Sequence, residues 1–327
     1  MRDWVRTHRW DSLLLVVLAI TIVVNALLSP FYLGWGNFIN LFWLSNEKII
    51  VAIIMTFVII SGEIDLSVAS VMGFSAAVMA SLHQAGSVPF FIAILAGLAA
   101  GAIAGLIQGM VITRFGLPSL VVTLAGLIGF RGGARVLMED QSVGDFPAWF
   151  DTMGQQTIVG PLPVALVIFF VSLAIAWVVL ERGALGRRVY VIGNNAEVAR
   201  FSGVNVDGVK LRLFITSGLV AGLAGILFAA RLGSVRGSLA EFYELDIITM
   251  VLLGGVSIFG GTGSMLGVAL AIFTVLNIRN GLGLANVDGI IQTGVIGLLL
   301  IGSVLIPNLA QHFRERSPRR ATAHAPP

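Results

Sequence analysis

Apolar stretches alternate with short polar connections along the whole chain, at roughly 12–28, 47–61, 65–82, 89–113, 118–137, 160–180, 212–231, 245–260, 263–279 and 288–306. A straight helix needs about 20 apolar residues to cross the hydrocarbon core of a bilayer, and several of these stretches fall short. Short segments broken by glycine or polar residues are the pattern of interrupted helices around a central pathway. The pattern predicts an all-α polytopic membrane protein with about ten transmembrane helices, some broken or short. Residues 12–308 make up the membrane domain, between an N-terminal tail (1–11) and a basic, disordered tail (309–327). The first stretch follows Arg2, Arg6 and Arg9 and so imitates a secretion signal, but the many later spans favour an uncleaved helix.

The longest polar interruption is the loop 181–212. It carries Glu181, Arg182, Arg187, Arg188, Glu197, Arg200, Asp207, Lys210 and Arg212, a density of charge that cannot sit in hydrocarbon. Its excess of Arg and Lys over acids places it on the cytoplasmic face, and an even number of spans then puts both termini there too. Within the loop, Asn194 followed by Glu197 resembles a capping box opening a short helix over about 195–202 that stops at Gly203. Val198 and Phe201 would share one face, Glu197 and Arg200 another. Two turns are not stable alone in water, so this helix packs on its own membrane domain, on a cytoplasmic partner, or on the lipid surface.

Four further features carry candidate chemistry. Glu63 and Asp65 lie between two apolar runs; they either line a break in a helix along a translocation route or sit in a wetted turn at the membrane surface. Gly97, Gly101, Gly105 and Gly109 recur every four residues, a stripe that lets another helix approach closely, with Gln108 beside it in need of a polar partner. Glu244-Leu245-Asp246 repeats the spacing of Glu63-Ile64-Asp65, and a glycine follows each glutamate ten residues on (Gly73, Gly254), as an inverted-topology repeat would produce. Asn277, Arg279, Asn280 and Gln292 are polar positions in or near the last two spans, at least some of them facing inward. The external loop 139–160 reads as solvated, with Phe146, Trp149 and Phe150 forming an interfacial aromatic belt.

Composition narrows the function. The chain has 327 residues, 57% hydrophobic and only 11% charged, with a mean hydropathy of +0.96. Cysteine is absent, which removes thiolate catalysis and cysteine metal sites, and the four histidines are scattered. No catalytic or metal constellation is expected, and the dispersed basic residues do not describe a nucleic-acid surface. The only two lysines, Lys48 and Lys210, lie outside any Walker A context, and the GGTG run at 260–263 lacks the lysine of a phosphate cradle and reads as a tight interhelical turn. A pump of this kind must borrow its energy.

The chain resembles the membrane permease subunits of bacterial ATP-binding-cassette sugar importers, the ribose-type branch related to branched-chain amino acid permeases. The resemblance covers about 12–308 and rests on GEIDLSV (62–68), GLIQG (105–109) with PSLVVTL (118–124), GRRVY (186–190) with GNN (193–195) and SG (202–203), and YELD (243–246) with LGG (253–255) and GGTG (260–263). It departs from the usual pattern at Gln108, commonly Asn, and at Glu63, often Gly. The resemblance implies an inner-membrane, multi-pass subunit that binds no cofactor itself. A second permease copy or sister permease, two cytoplasmic ATPase subunits using ATP and Mg, and a periplasmic sugar-binding protein complete the importer. It implies that Asn194, Asn195, Glu197, Val198, Arg200, Phe201, Ser202 and Gly203 form the ATPase-coupling segment. Glu63, Asp65, Ser67, Gln108, Thr123, Asn277 and Gln292 are the candidate pathway, for a ribose-, rhamnose- or autoinducer-2-like solute. The rival expectation is an ion-coupled secondary transporter that uses Glu63 and Asp65.

Overall fold

The computed structural model describes residues 9–86, 88–155, 157–159 and 162–316. Helix dominates because a bilayer-embedded backbone has no water to satisfy its polar groups. The helices are α1 (Arg9–Leu28), α2 (Trp35–Trp43), α3 (Asn46–Ile60), α4 (Val68–Gln84), α5 (Phe90–Phe115), α6 (Ser119–Met138), α7 (Ala148–Gln155), α8 (Val164–Trp177), α9 (Ala184–Asn194), α10 (Ala196–Phe201), α11 (Val206–Leu232), α12 (Tyr243–Leu253), α13 (Met265–Leu284) and α14 (Gly289–Arg316). A π-helical turn, Val178–Arg182, extends α8.

Among the described residues, five helices are long and apolar enough to cross a membrane, or up to seven spans if each of two bent pairs counts as one. The pairs bend by 55° between α2 and α3 and by 66° where α8 and its π turn meet α9. Two of the expected segments, Val68–Gln84 and Gly289–Leu305, are shorter apolar helices. A third differs more: the apolar run 245–260 is helical only from Tyr243 to Leu253. Eleven residues rise about 16 Å, half a bilayer. Gly254 caps this helix, and Gly255, Gly260 and Gly261 turn the chain through positive φ angles that side chains with a Cβ resist. At the other extreme, α14 continues through Pro307 to Arg316, so the expected disordered tail begins as helix; residues 317–327 lie outside the described residues.

The bundle has an internal inverted relation. The helices α3 and α11 pack antiparallel, since α3 begins beside the end of α11 (Glu47 to Arg231) and ends beside its start (Glu63 to Lys210). Each is followed by an acidic motif at the entry to the next helix: Glu63–Asp65 precedes α4, and Glu244 and Asp246 lie in the first turn of α12. A long helix follows in each half, α5 and α13. The next connections turn through left-handed residues, Gly116 and Asn286, into α6 and α14.

Close packing is densest where α5 crosses α4 and α11. Gly97, Gly101, Gly105 and Gly109 are all buried on this face. A Cβ on Gly101 would stand 2.5 Å from the Gly218 carbonyl of α11, and one on Gly97 2.7 Å from the Ser75 carbonyl of α4. Backbone meets backbone here, so the stripe sets the interhelical distance. At the Glu244 end, β1 (Ser142–Val143) pairs antiparallel with β4 (Val235–Arg236), β2 and β3 being the short strands Thr157–Val159 and Leu162–Pro163. The loop aromatics do not form a lipid-facing belt: Phe146 and Phe150 are buried, packed edge-to-face on each other and clustered with Phe90, while Trp149 remains 47% exposed. Aromatic edges and faces satisfy one another better than water does.

Candidate functional site

The two ends of α3 each carry a lysine clasp, and the chain's only two lysines make them. At one end, Lys48 on the first turn of α3 donates to Asp246 Oδ2 at 2.8 Å. Arg279 of α13 bonds the other oxygen, Oδ1. Asp246 is 2% exposed. Around it Glu47 receives Arg231 Nε at 2.6 Å, Glu244 receives Arg131 at 3.1 Å, and Lys48 Nζ lies 4.2 Å from the Tyr243 ring centre. At the other end, Lys210, near the start of α11, pairs with Glu63. Each half therefore supplies the lysine that holds the other half's acidic motif. Buried carboxylates persist only when paired in this way.

The break between α3 and α4 is closed by side chains. Asp65 is 3% exposed. Its Oδ1 accepts from the Ser67 hydroxyl at 2.6 Å and the Ser67 backbone N–H at 3.0 Å, and its Oδ2 accepts from Ser217 of α11 at 3.0 Å. Gln108 of α5 donates to Ser67 Oγ at 2.9 Å. The unwound Ile64 is stitched to α6 twice: its N–H donates to Ser119 Oγ at 3.2 Å, and its carbonyl accepts from Thr123 at 3.1 Å. So Asp65, Ser67 and Gln108 form one hydrogen-bonded network with Ser217, Thr123 secures the neighbouring Ile64 carbonyl, and Asp65 is not a wetted turn residue. Ser217 and Ser119 were not legible as members; an isolated serine in an apolar helix gives no periodic signal.

Asn277 and Gln292 stand elsewhere. Asn277 accepts from Tyr32 and donates to the Phe273 carbonyl at 2.7 Å, and Asn25 of α1 donates to its backbone carbonyl at 2.7 Å. It lines an apolar cavity of about 440 Å³ with Tyr32, Phe38 and Phe42. Gln292 lines a second cavity of about 410 Å³ with Asn37, Asn40, Ser45, Lys48, Arg279 and Asn280. Asn37 and Asn280 exchange amide hydrogen bonds at 2.8 and 2.9 Å, while the buried Arg279 Nε has no hydrogen-bond partner among the described residues. Neither cavity takes in Glu63, Asp65, Ser67, Gln108 or Thr123.

The loop 181–212 is more helical than expected. Its polar residues 184–194 form α9, and α11 begins at Val206, so Asp207, Lys210 and Arg212 are helical. The cap of the short helix α10 is Asn195, not Asn194: Asn195 Oδ1 accepts from the N–H groups of Glu197 and Val198 at 2.9 and 3.0 Å. Asn195 has extended φ/ψ (−163°, 108°), as a cap requires, whereas Asn194 ends α9. The Asn194 amide instead donates to the Tyr190 and Gly261 carbonyls. Arg200 pairs with Asp207 at 2.6 Å and not with Glu197. Ser202 closes the helix and Gly203 turns away at φ +81°. Val198 and Phe201 project together, 55% and 88% exposed. Behind them, Gly193 packs directly on Ile60, Gly62 and the 260–261 turn, and Gly261 N–H donates to the Ile60 carbonyl at 2.8 Å.

Antiparallel repeats with interrupted helices, buried ion clasps at opposite ends and an exposed capped helix describe a multi-pass helical membrane protein. The family described as the branched-chain amino acid transport system permease component matches residues 37–304. The chain is 34% identical over 317 residues to the autoinducer 2 import system permease protein LsrD of Yersinia enterocolitica, covering 94% of each. It is 33% identical over 335 residues to the protein of that name from Yersinia pseudotuberculosis, 97% of this chain and 99% of that one. No solved structure matches. The chain belongs to this permease family.

Proposed function

We propose that the chain is the membrane subunit of an ATP-driven importer for a small hydroxyl-rich solute of the autoinducer-2, ribose or rhamnose kind, in the bacterial inner membrane. Its Yersinia relatives, named as autoinducer 2 import permeases, support the solute class. In this reading ten segments cross or enter the bilayer with both termini cytoplasmic, α12 reaching only halfway. The subunit pairs with a second permease. ATP and Mg are used by separate ATPase subunits, and a periplasmic binding protein delivers the solute.

The observation that carries this reading is α10. A helix of six residues with both ends capped presents Val198 and Phe201 outward, Phe201 at 88% exposure. A large apolar pair on a charged surface is a docking knob for another protein. Asn194 and Asn195 anchor and cap it, Glu197 and Arg200 flank it, and Ser202 and Gly203 end it. Glu63, Asp65, Ser67, Gln108 and Thr123 hold the moving break rather than touch solute. The solute contacts fall to the polar cavity of Gln292, where the amides of Asn37, Asn40, Asn280 and Gln292 offer hydrogen bonds. Asn277 positions the wall behind it.

The ion-coupled alternative is less well supported, because Glu63 and Asp65 are already engaged by Lys210, Ser67 and Ser217. Vesicles carrying the permease with its ATPase partner discriminate the two. The double variant Val198→Asp/Phe201→Asp should insert normally yet lose most ATP-dependent uptake; undiminished uptake refutes the docking role, and ATP-independent uptake that follows an ion gradient favours the alternative.

A further inference from the structure

A third cavity, of about 610 Å³, opens between α3, α8 with its π turn, and α11. Its walls are apolar over most of their length: Ile53 and Phe57 of α3, Ile175 and Val179 of α8 and the π turn, Leu213 and Val220 of α11. The two hydroxyls along it are committed to their own helices. Ser172 Oγ donates to the Ile168 and Phe169 carbonyls, and Thr216 Oγ1 donates to the Arg212 carbonyl at 2.8 Å. A sugar lying there would leave its hydroxyls unpaired, at a cost that excludes it.

The cavity ends on two arginines, Arg188 of α9 and Arg212 of α11. Both side chains are exposed. Of the other cations on these segments, Lys210 holds Glu63 and Arg200 holds Asp207, while Arg187 donates to the Arg182 carbonyl at 3.2 Å and Arg182 lies over the Trp177 ring. Among the described residues, neither Arg188 nor Arg212 has an acidic partner. Two like charges at one mouth repel, and an anion placed between them would be attracted by both. An apolar slot running along the membrane-embedded helices, closed at one end by two guanidinium groups, is complementary to one class of molecule: an amphiphile with an anionic head.

We propose that this cleft binds an anionic phospholipid, one acyl chain against α3, α8 and α11 and the phosphate bridging Arg188 and Arg212. Basic pockets between membrane helices select such headgroups, and guanidinium forks suit phosphate better than ammonium does. The lipid ties α9 to α11 on either side of α10, so it braces the segment on which the docking knob sits. The site does not depend on which solute the permease carries.

Native mass spectrometry of the full-length permease, purified in detergent and supplied with phosphatidylglycerol or phosphatidylcholine, tests this. Phosphatidylglycerol should be retained in preference to phosphatidylcholine. Arg188→Gln/Arg212→Gln should lower its retention about tenfold to thirtyfold, as loss of two phosphate-facing charges implies. Val220→Trp, which fills the cleft and leaves both arginines, should reduce it as well, and this variant decides the matter should the double arginine variant not survive purification. Equal retention of the two lipids, or unchanged retention in the variants, overturns the proposal. So does inorganic phosphate displacing phosphatidylglycerol at millimolar concentration, because a free anion would then be the true occupant.

Discussion

Neutralising Asp246 should be far more damaging than removing either cation it holds. Asp246 sits between Lys48, 2.8 Å away, and Arg279, with side-chain exposures of 3%, 8% and 20%. At an effective dielectric constant of about 20, the Lys48–Asp246 attraction alone is roughly 6 kcal/mol before desolvation is set against it. Asp246→Asn leaves Lys48 and Arg279 facing one another without a counter-charge, a loss expected at about 3–5 kcal/mol. Lys48→Met leaves Asp246 paired with Arg279 and keeps an aliphatic stem against the Tyr243 ring, so its loss should be about 1–2 kcal/mol. Glu63→Gln should fall at the low end as well, since Lys210, 18% exposed, can turn toward water. The measurement is the unfolding midpoint of each purified variant in the same lipid nanodisc, followed by tryptophan fluorescence. The expected order of loss is Asp246→Asn above Lys48→Met and Glu63→Gln. A Lys48→Met variant as unstable as Asp246→Asn would show that Asp246 is not shared, and the reasoning about the Asp246 clasp would fail.

Two further outcomes follow from packing and capping. Gly101→Val should abolish accumulation of folded permease, because its first carbon alone would meet the Gly218 carbonyl at 2.5 Å; Gly132→Ala, where an added carbon meets nothing within 4 Å, should express as wild type, measured by detergent size-exclusion yield. Asn195→Ala removes the acceptor for two backbone N–H groups and should cost about 1 kcal/mol in the local stability of α10; faster amide exchange at 196–201 with the exchange of α5 unchanged is the expected readout.

Much of the architecture was legible because a membrane simplifies the code. Apolar length located the segments, and the four-residue glycine spacing of α5 pointed to a close helix crossing, since both depend on neighbours in sequence. The repeated Glu-x-Asp pattern pointed to the inverted relation, although Gly73 and Gly254 differ in context: one lies buried within α4, the other ends α12. What could not be read were pairings between distant positions. Lys48 and Asp246 are 198 residues apart, and Lys210 and Glu63 147; no periodicity joins them. The cap was misplaced by one residue because Asn194 and Asn195 are the same amino acid, and only backbone conformation tells which one precedes the helix. The aromatic loop misled for a similar reason, as Phe146 and Phe150 look alike whether they meet lipid or Phe90.

The contact of Gly193 with Ile60, Gly62 and the turn at 260–261 has a mechanical consequence. Backbone rests on backbone there, with no side chain between to yield. A displacement of α10 would bear on the Gly62 break and on the 260–261 turn together, like a piston rod bearing on two cranks through bare metal. Thickening that bearing by a single methyl group would force the two turns apart, because the added carbon would stand 1.8 Å from the Ile60 carbonyl.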